Sequence, residues 1–222
     1  MYQLFIGLIA EGNTDVRFLK SVITNSIQDI SWECECEIQV YEPREIKAAG
    51  STFVEKMKAA CHEASEKYGI SILCIHADSD HRTIQSVMDN KFGPLFAALE
   101  TMDDAEYCKH IIPTIPIQMI ESWMLADREL LKRLINATGM RDVDLGIERE
   151  PESYSDPKAA IENAISISMS NQPKKRRDSI KISDLYELLG NSLSLEKLRT
   201  IPSFNLFETS VRQAFKGMGL MH

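Results

Sequence analysis

Two apolar runs in this chain end in acids. Residues 3–10, QLFIGLIA, stop at Glu11-Gly12, and residues 70–77, ISILCIHA, stop at Asp78-Ser79-Asp80. Three carboxylates gathered at one sheet edge repel one another unless a hard cation neutralises them. Mg²⁺ takes oxygen ligands of this kind and completes its shell with water. Glu11, Asp78 and Asp80 are therefore candidate metal ligands or acid–base groups, with Mn²⁺ as the alternative ion. Glu121 follows a later apolar run and is placed to reach the same edge as a further ligand. Each acid also has a plainer reading. Asp-Ser-Asp is a good turn sequence, and an acid at a helix start is favoured by the helix dipole.

The surrounding elements must bring these acids together. YQLFIGLIA reads as a buried strand, Gly12 as a turn, Asn13 or Thr14 as a cap and Asp15 as a first-turn acid. Val16, Leu19, Val22, Ile23 and Ile27 repeat at helical spacing. CEIQVYEP, residues 36–43, is a second strand stopped by Pro43, and residues 52–68 are a second helix. ISILCIHADSD is a third strand, apolar enough to be covered on both faces as in a parallel sheet. Residues 84–99 are expected to be helical in part, with a break near Gly93-Pro94. KHIIPTIPIQMI, residues 109–120, reads as a fourth strand, at an edge because of Pro113 and Pro116. ESWMLADRELLKRLINATG, residues 121–139, reads as one amphipathic helix ended by Gly139, with Ser122 as a cap and Trp123 and Leu125 in the core. The pattern is α/β, a mostly parallel sheet flanked by helices. In such sheets ligands bind outside the carboxyl ends of the strands. From about residue 140 the chain becomes a polar loop, a helix opened by Pro157 and further short helices. The expected organisation is an α/β domain over residues 1–140 and a C-terminal helical extension over residues 141–222, packed on or beside it.

Bulk properties narrow the classes. The chain has 222 residues, 44% hydrophobic and 26% charged, with a net charge of −8. That charge argues against broad nucleic-acid binding by this chain unaided, since phosphates are neutralised by Lys and Arg. It does not argue against a cation-dependent site acting on phosphates. No apolar run reaches the length of a membrane span, and the first residues read as a strand instead of a signal peptide. Five scattered cysteines suit reduced thiols in a cytoplasm. Cys34-x-Cys36 has no second Cys/His pair at zinc spacing.

Further residues are candidates for substrate contact. Gly12 and Thr14 lie in the turn after Glu11, and His81 follows Asp80. The basic run Lys174, Lys175, Arg176 and Arg177 could hold a nucleic-acid backbone, or be a solvated loop. His76, inside an apolar run, reads as a buried histidine with its hydrogen bonds satisfied. Asp127 reads as a structural or surface acid.

Glu11-Gly12 and Asp78-x-Asp80, in this order after buried strands, resemble the Toprim fold of topoisomerases, primases and nucleases of the overcoming-lysogenization-defect type. The segments EGNTDVRFL and IPIQMIESWMLAD are similar to a small Toprim-like branch that combines E-G-x-T-[DE]-x-x-F-L with I-P-x-x-x-x-E-[SA]-W-x-L-A-D. The likeness covers about residues 3–130, with a weaker echo in DPK (156–158) and IPSFNLFETSV (201–211). It implies Glu11, Asp78 and Asp80 as Mg²⁺ ligands or acid–base groups for phosphodiester cleavage, on DNA or RNA. It further implies a neighbouring ATPase subunit in an anti-phage defence system. A homo-oligomer is open, and a membrane partner is not expected. Two other classes compete. One is a haloacid-dehalogenase-like phosphatase, whose D-x-D also ends a strand, although Thr83 has the wrong spacing and the E-G turn would have no role. The other is a non-catalytic, partner-binding Toprim-like subunit.

Overall fold

The computed structural model describes residues 1–47, 49–79, 83–170 and 179–222. Asp80, His81 and the run Lys174 to Arg177 lie outside the described residues. The first apolar run makes two strands. β1 (Tyr2–Leu4) and β2 (Ile6–Ile9) are separated at Phe5, and each joins a different sheet. α1 (Asn13–Ser31) follows. Gly12, and neither Asn13 nor Thr14, occupies the cap position, with its N–H donating to the Asp15 carboxylate at 3.0 Å. The second strand also divides. β3 (Ile38–Val40) pairs with β1, the chain passes Pro43, and β4 (Arg44–Glu45) pairs with β2. α2 (Phe53–Tyr68) is capped by Thr52 and closed by Gly69 in the left-handed region.

β5 (Ile72–His76) is buried at every position. After it come α3 (Gln85–Val87), a π turn over Met88–Phe92 and α4 (Gly93–Glu100). The expected break at Gly93-Pro94 does not occur: the helical path runs on from the π turn, which ends at Phe92 with the Gly93 N–H bonded to Met88 O, and α4 takes Pro94 in its first turn. β6 (Ile111–Thr114) is shorter than the apolar run that contains it. The main sheet is parallel throughout in the order β4-β2-β5-β6, so β6 is the edge strand that its prolines suggested. β2 and β5 are its central pair, in register at Ile9 and Ile75. Gly7 lets them pack closely, since a Cβ there would meet Leu73 Cδ1 at 2.6 Å.

The predicted helix over 121–139 is two. α5 (Glu121–Met124) ends near Leu125, and α6 (Arg128–Leu134) starts afresh with Asp127 as its cap, accepting from the Leu130 N–H at 2.9 Å. α7 (Asp142–Leu145) and a 3₁₀ turn (Pro151–Ser153) cross the polar stretch. α8 (Pro157–Met169), α9 (Ile182–Ser192), α10 (Leu195–Leu198) and α11 (Pro202–Gly217) complete the chain. One buried apolar cluster runs from Leu4 to Leu220 and joins α1, the sheet and these helices. A second, on the other face, is built from α2, α4 and the strands between. Among the described residues no helix is long and apolar enough to cross a membrane.

α9 is seated on α1 by a missing side chain. A Cβ on Gly190 would meet the Phe18 carbonyl oxygen at 2.6 Å. One helical turn earlier on each element stand Tyr186 and Thr14, which therefore face each other at the start of α1.

Candidate functional site

The carboxyl ends of β2 and β5 leave the sheet side by side. Beyond the Ile9–Ile75 pair the chain reaches Glu11 on one strand and Asp78 on the other. Glu11 is exposed and makes no hydrogen bond or ion pair with any described residue. The segment after β5 is not a free loop. Ala77 N–H donates to Thr114 O at 3.2 Å, Ser79 N–H donates to Pro116 O at 3.3 Å, and Gln118 N–H donates to Ser79 Oγ at 2.8 Å. Gln118 adopts a φ of 63° to make that turn. Asp78 is thus held between anchored neighbours.

His76, the last residue of β5, is completely buried, and its two ring nitrogens face two carboxylates. Nε2 lies 3.1 Å from Asp78 Oδ1, and Nδ1 lies 4.0 Å from Asp15 Oδ2. Neither contact has the alignment of a hydrogen bond, and among the described residues both nitrogens and Asp78 Oδ1 are buried without a hydrogen-bond partner. The expected satisfied histidine is therefore corrected to an under-bonded one, wedged between two acids. Unmet buried polar atoms are costly and concentrate where function requires them. Asp15 belongs to the same cluster. One of its carboxylate oxygens takes the Gly12 N–H and the other accepts from Thr14 Oγ1 at 3.3 Å.

Glu121, at the start of α5, is 4% exposed. Tyr186 of α9 donates a short hydrogen bond to its Oε1. Burial holds the Glu121 carboxyl above its ordinary range, opposed by the Tyr186 bond and by the Lys158 charge, while Asp78 pushes it further up. Burial also raises the Tyr186 phenol, and the carboxylate of Glu121 adds to this, while a hydrogen bond with Thr14 opposes both. A continuous polar chain results. It runs from Asp78 through His76 and Asp15 to Thr14, then through Tyr186 to Glu121. Ser122, expected as a cap, instead sits inside α5 with its hydroxyl buried and, among the described residues, unbonded. Trp123 is buried as expected, its indole N–H donating to Ser203 Oγ of α11 at 2.7 Å, which fixes α5 from behind.

The structure thus places Glu11, Gly12, Thr14, Asp78 and Glu121 on one edge. Sequence reasoning missed Tyr186 and Lys158 as neighbours of Glu121 and read Asp15 only as a helix acid. Nothing local marks Tyr186, whose partner is 65 positions away. Asp15 had a signal, as the fifth residue of EGNTD.

The donor set can be weighed against the cation that the resemblance implies. Asp78 Oδ1 is an orphaned carboxylate oxygen, the kind of atom a hard cation satisfies. Among the described residues no three His, Cys, Asp or Glu side chains form a ready metal cluster. Mg²⁺ commonly takes only one or two protein carboxylates and keeps its waters. The residues therefore fit an open, largely hydrated Mg²⁺ site built on Asp78 and Glu11, and do not fit a closed cage. Compared with protein-family models, with curated proteins and with solved structures, the chain matches none.

Proposed function

We propose that this chain is a Mg²⁺-dependent, Toprim-like nuclease, or the nuclease subunit of an assembly, that cleaves phosphodiester bonds. The observation that carries the reading is the emergence of Glu11 and Asp78 from adjacent central parallel strands, beside a buried polar chain. Structural acids are normally given hydrogen bonds or cations, and among the described residues Glu11 has neither while Asp78 Oδ1 has no hydrogen bond, only the misaligned His76 ring beside it. A bound Mg²⁺, with Mn²⁺ as a substitute, would supply the positive charge that a phosphodiester needs beside carboxylates. Glu11 and Asp78 would hold it, with Asp80 as the other acid of the D-x-D motif. His76 orients Asp78 from the protein side. Tyr186 fixes one oxygen of Glu121 and leaves the second carboxylate oxygen to face the edge or to hold a proton. Burial keeps Glu121 easier to protonate than an ordinary glutamate, as a group that donates a proton to a leaving oxygen requires. A cytoplasmic setting, an ATPase partner and a role in anti-phage defence belong to the same proposal and rest on the motif resemblance.

The test is cleavage of labelled single- and double-stranded DNA and RNA in Mg²⁺ or Mn²⁺, wild type beside Asp78→Asn. Cleavage that the variant loses while keeping its fold supports a nuclease. A wild type that binds the cation but cleaves none of the four substrates points to the non-catalytic, partner-binding class.

A further inference from the structure

The amino ends of the parallel strands make a second edge, opposite Glu11 and Asp78. Phe5 lies just before β2, and Tyr41 and Glu42 lie shortly before β4. With Arg44 of β4 and with Lys67 and Tyr68 at the end of α2, they border a cavity of about 380 Å³. Small-molecule sites begin at about 300 Å³. Phe5 and Tyr41 stack there, their ring centroids 4.7 Å apart and their planes 14° from parallel. Phe5 is 37% exposed, so the stacked pair is open to solvent on one side. The Arg44 guanidinium carbon lies 4.4 Å from the centroid of the Tyr68 ring. The backbone at each position is fixed. Phe5 O accepts from the Ser71 N–H at 2.8 Å, the Tyr41 N–H donates to Leu4 O at 3.1 Å, and Arg44 pairs with Gly7 across β4 and β2.

The charges around this cavity are unequally committed. Glu42 pairs with Lys20 at 3.3 Å, and Lys67 pairs with Glu63 at 3.2 Å. Arg44 is exposed and, among the described residues, makes no ion pair or hydrogen bond. Glu45, the next residue of β4, points to the other face of the strand. The uncommitted charge at the cavity is therefore positive. A guanidinium resting on a ring keeps its N–H fork for an anion and matches a phosphate bidentately. Beside it, the Phe5–Tyr41 pair offers a flat apolar platform, and every nucleobase has a π face that stacks on such rings.

We propose that this cavity binds a nucleotide, with its base stacked on the Phe5–Tyr41 pair and its phosphate held by Arg44. The site lies at the other edge of the sheet from the acids and needs no metal ion, so it does not rest on the nuclease reading. It also gives a role to the break in the first apolar run, which sets Phe5 between β1 and β2 at this edge. The same chemistry comes from two sources, a free nucleotide or one unit of a single strand.

The experiment is calorimetric titration in EDTA, which keeps the acidic edge free of cations. The probes are AMP, GMP, CMP and UMP, the nucleoside of the tightest of them, and decathymidylate. Wild type is compared with Phe5→Leu, Tyr41→Leu and Arg44→Gln, and with Lys197→Gln, an exposed change on α10, as the control. Melting is recorded for each. Wild type should bind at least one mononucleotide, and Phe5→Leu should weaken it about 5–150-fold. Tyr41→Leu carries the same expectation and serves if Phe5→Leu does not fold. Arg44→Gln should weaken the nucleotide about 10–150-fold and leave the nucleoside as in wild type. Lys197→Gln should change neither. Mononucleotide binding without decathymidylate binding assigns the site to a free nucleotide. Decathymidylate binding alone, with the same losses in the variants, assigns it to a unit of a strand, and either result supports the site. A wild type that binds none of the probes, or binding that survives all three cavity variants, overturns it. Neither overturning result bears on the cation-dependent reading of the acidic edge, because no cation is present.

Discussion

Two buried glutamates in this chain are furnished in opposite ways. Glu208 on α11, 3% exposed, accepts from Arg199 through Nε and Nη2 and from Ser26 Oγ at 3.0 Å, and Arg212 stands 3.5 Å away. Glu121, 4% exposed, has a tyrosine hydroxyl and, among the described residues, no cation within ion-pair distance. The first is a carboxylate whose charge is fully answered, joining α1 to α11. The second is held in place by a neutral hydroxyl with no ion pair among the described residues, next to an under-bonded histidine and a buried Asp78 oxygen without a hydrogen bond. A fold that can build the Glu208 cluster could have satisfied the edge in the same way. Among the described residues, that difference is what sets the sheet edge apart from the Glu208 cluster and what the proposed cation would answer.

Several substitutions break or sharpen this contrast. Asp78→Asn should have the largest effect on activity, beyond the about 10–100-fold typical of losing an outer partner of a metal ligand, with little change in melting temperature. Tyr186→Phe should fall within that about 10–100-fold range, because the Glu121 carboxylate loses the Tyr186 hydroxyl while the ring still fills the core. Kinetics should show the loss in kcat more than in KM. Glu208→Ala should invert the pattern. We expect a destabilisation of about 1–3 kcal/mol, from Ser26 and two arginines losing a buried acceptor, with unchanged activity per folded molecule, read by denaturant titration beside cleavage assays. Gly190→Ala joins the two regions. An alanine in a helix is ordinarily favourable, but here its Cβ would strike backbone, so a loss of about 1–3 kcal/mol is expected together with weakened activity as Tyr186 is pushed from Thr14.

The smallest effect is one of pH. Burial raises the Glu121 carboxyl above its ordinary value of 4.5, so the folded protein holds that proton more tightly than the unfolded chain does. Its contribution to stability is full below 4.5 and is lost as pH rises through the folded value. Glu121→Gln should flatten this decline, measured as stability against pH.

Much of this was legible in the residues. The apolar runs before Glu11 and Asp78 gave two central parallel strands, because uninterrupted β-branched and aliphatic residues suit a sheet covered on both faces. Pro113 correctly marked an edge. Other features depend on contacts far apart in sequence. The first run splits at Phe5 because β1 and β2 find different partners, which periodicity does not encode. The 121–139 stretch has unbroken helical spacing, yet Asp127 caps a second helix with its own side chain. His76 looked like core and is core, but its unmet nitrogens appear only when Asp15 and Asp78 are seen on either side. Tyr186 depends on Gly190 admitting α9 to the surface of α1, a packing detail invisible without both helices.

The most direct test of the central claim, that the ends of β2 and β5 share one cation site, is a calorimetric titration with Mg²⁺ or Mn²⁺. It would compare wild type, Glu11→Gln, Asp78→Asn and Glu208→Gln. Binding in wild type that is lost in both edge variants and kept in Glu208→Gln is the expected result. Binding that survives Glu11→Gln and Asp78→Asn together, or a folded wild type that binds neither ion, would contradict the account.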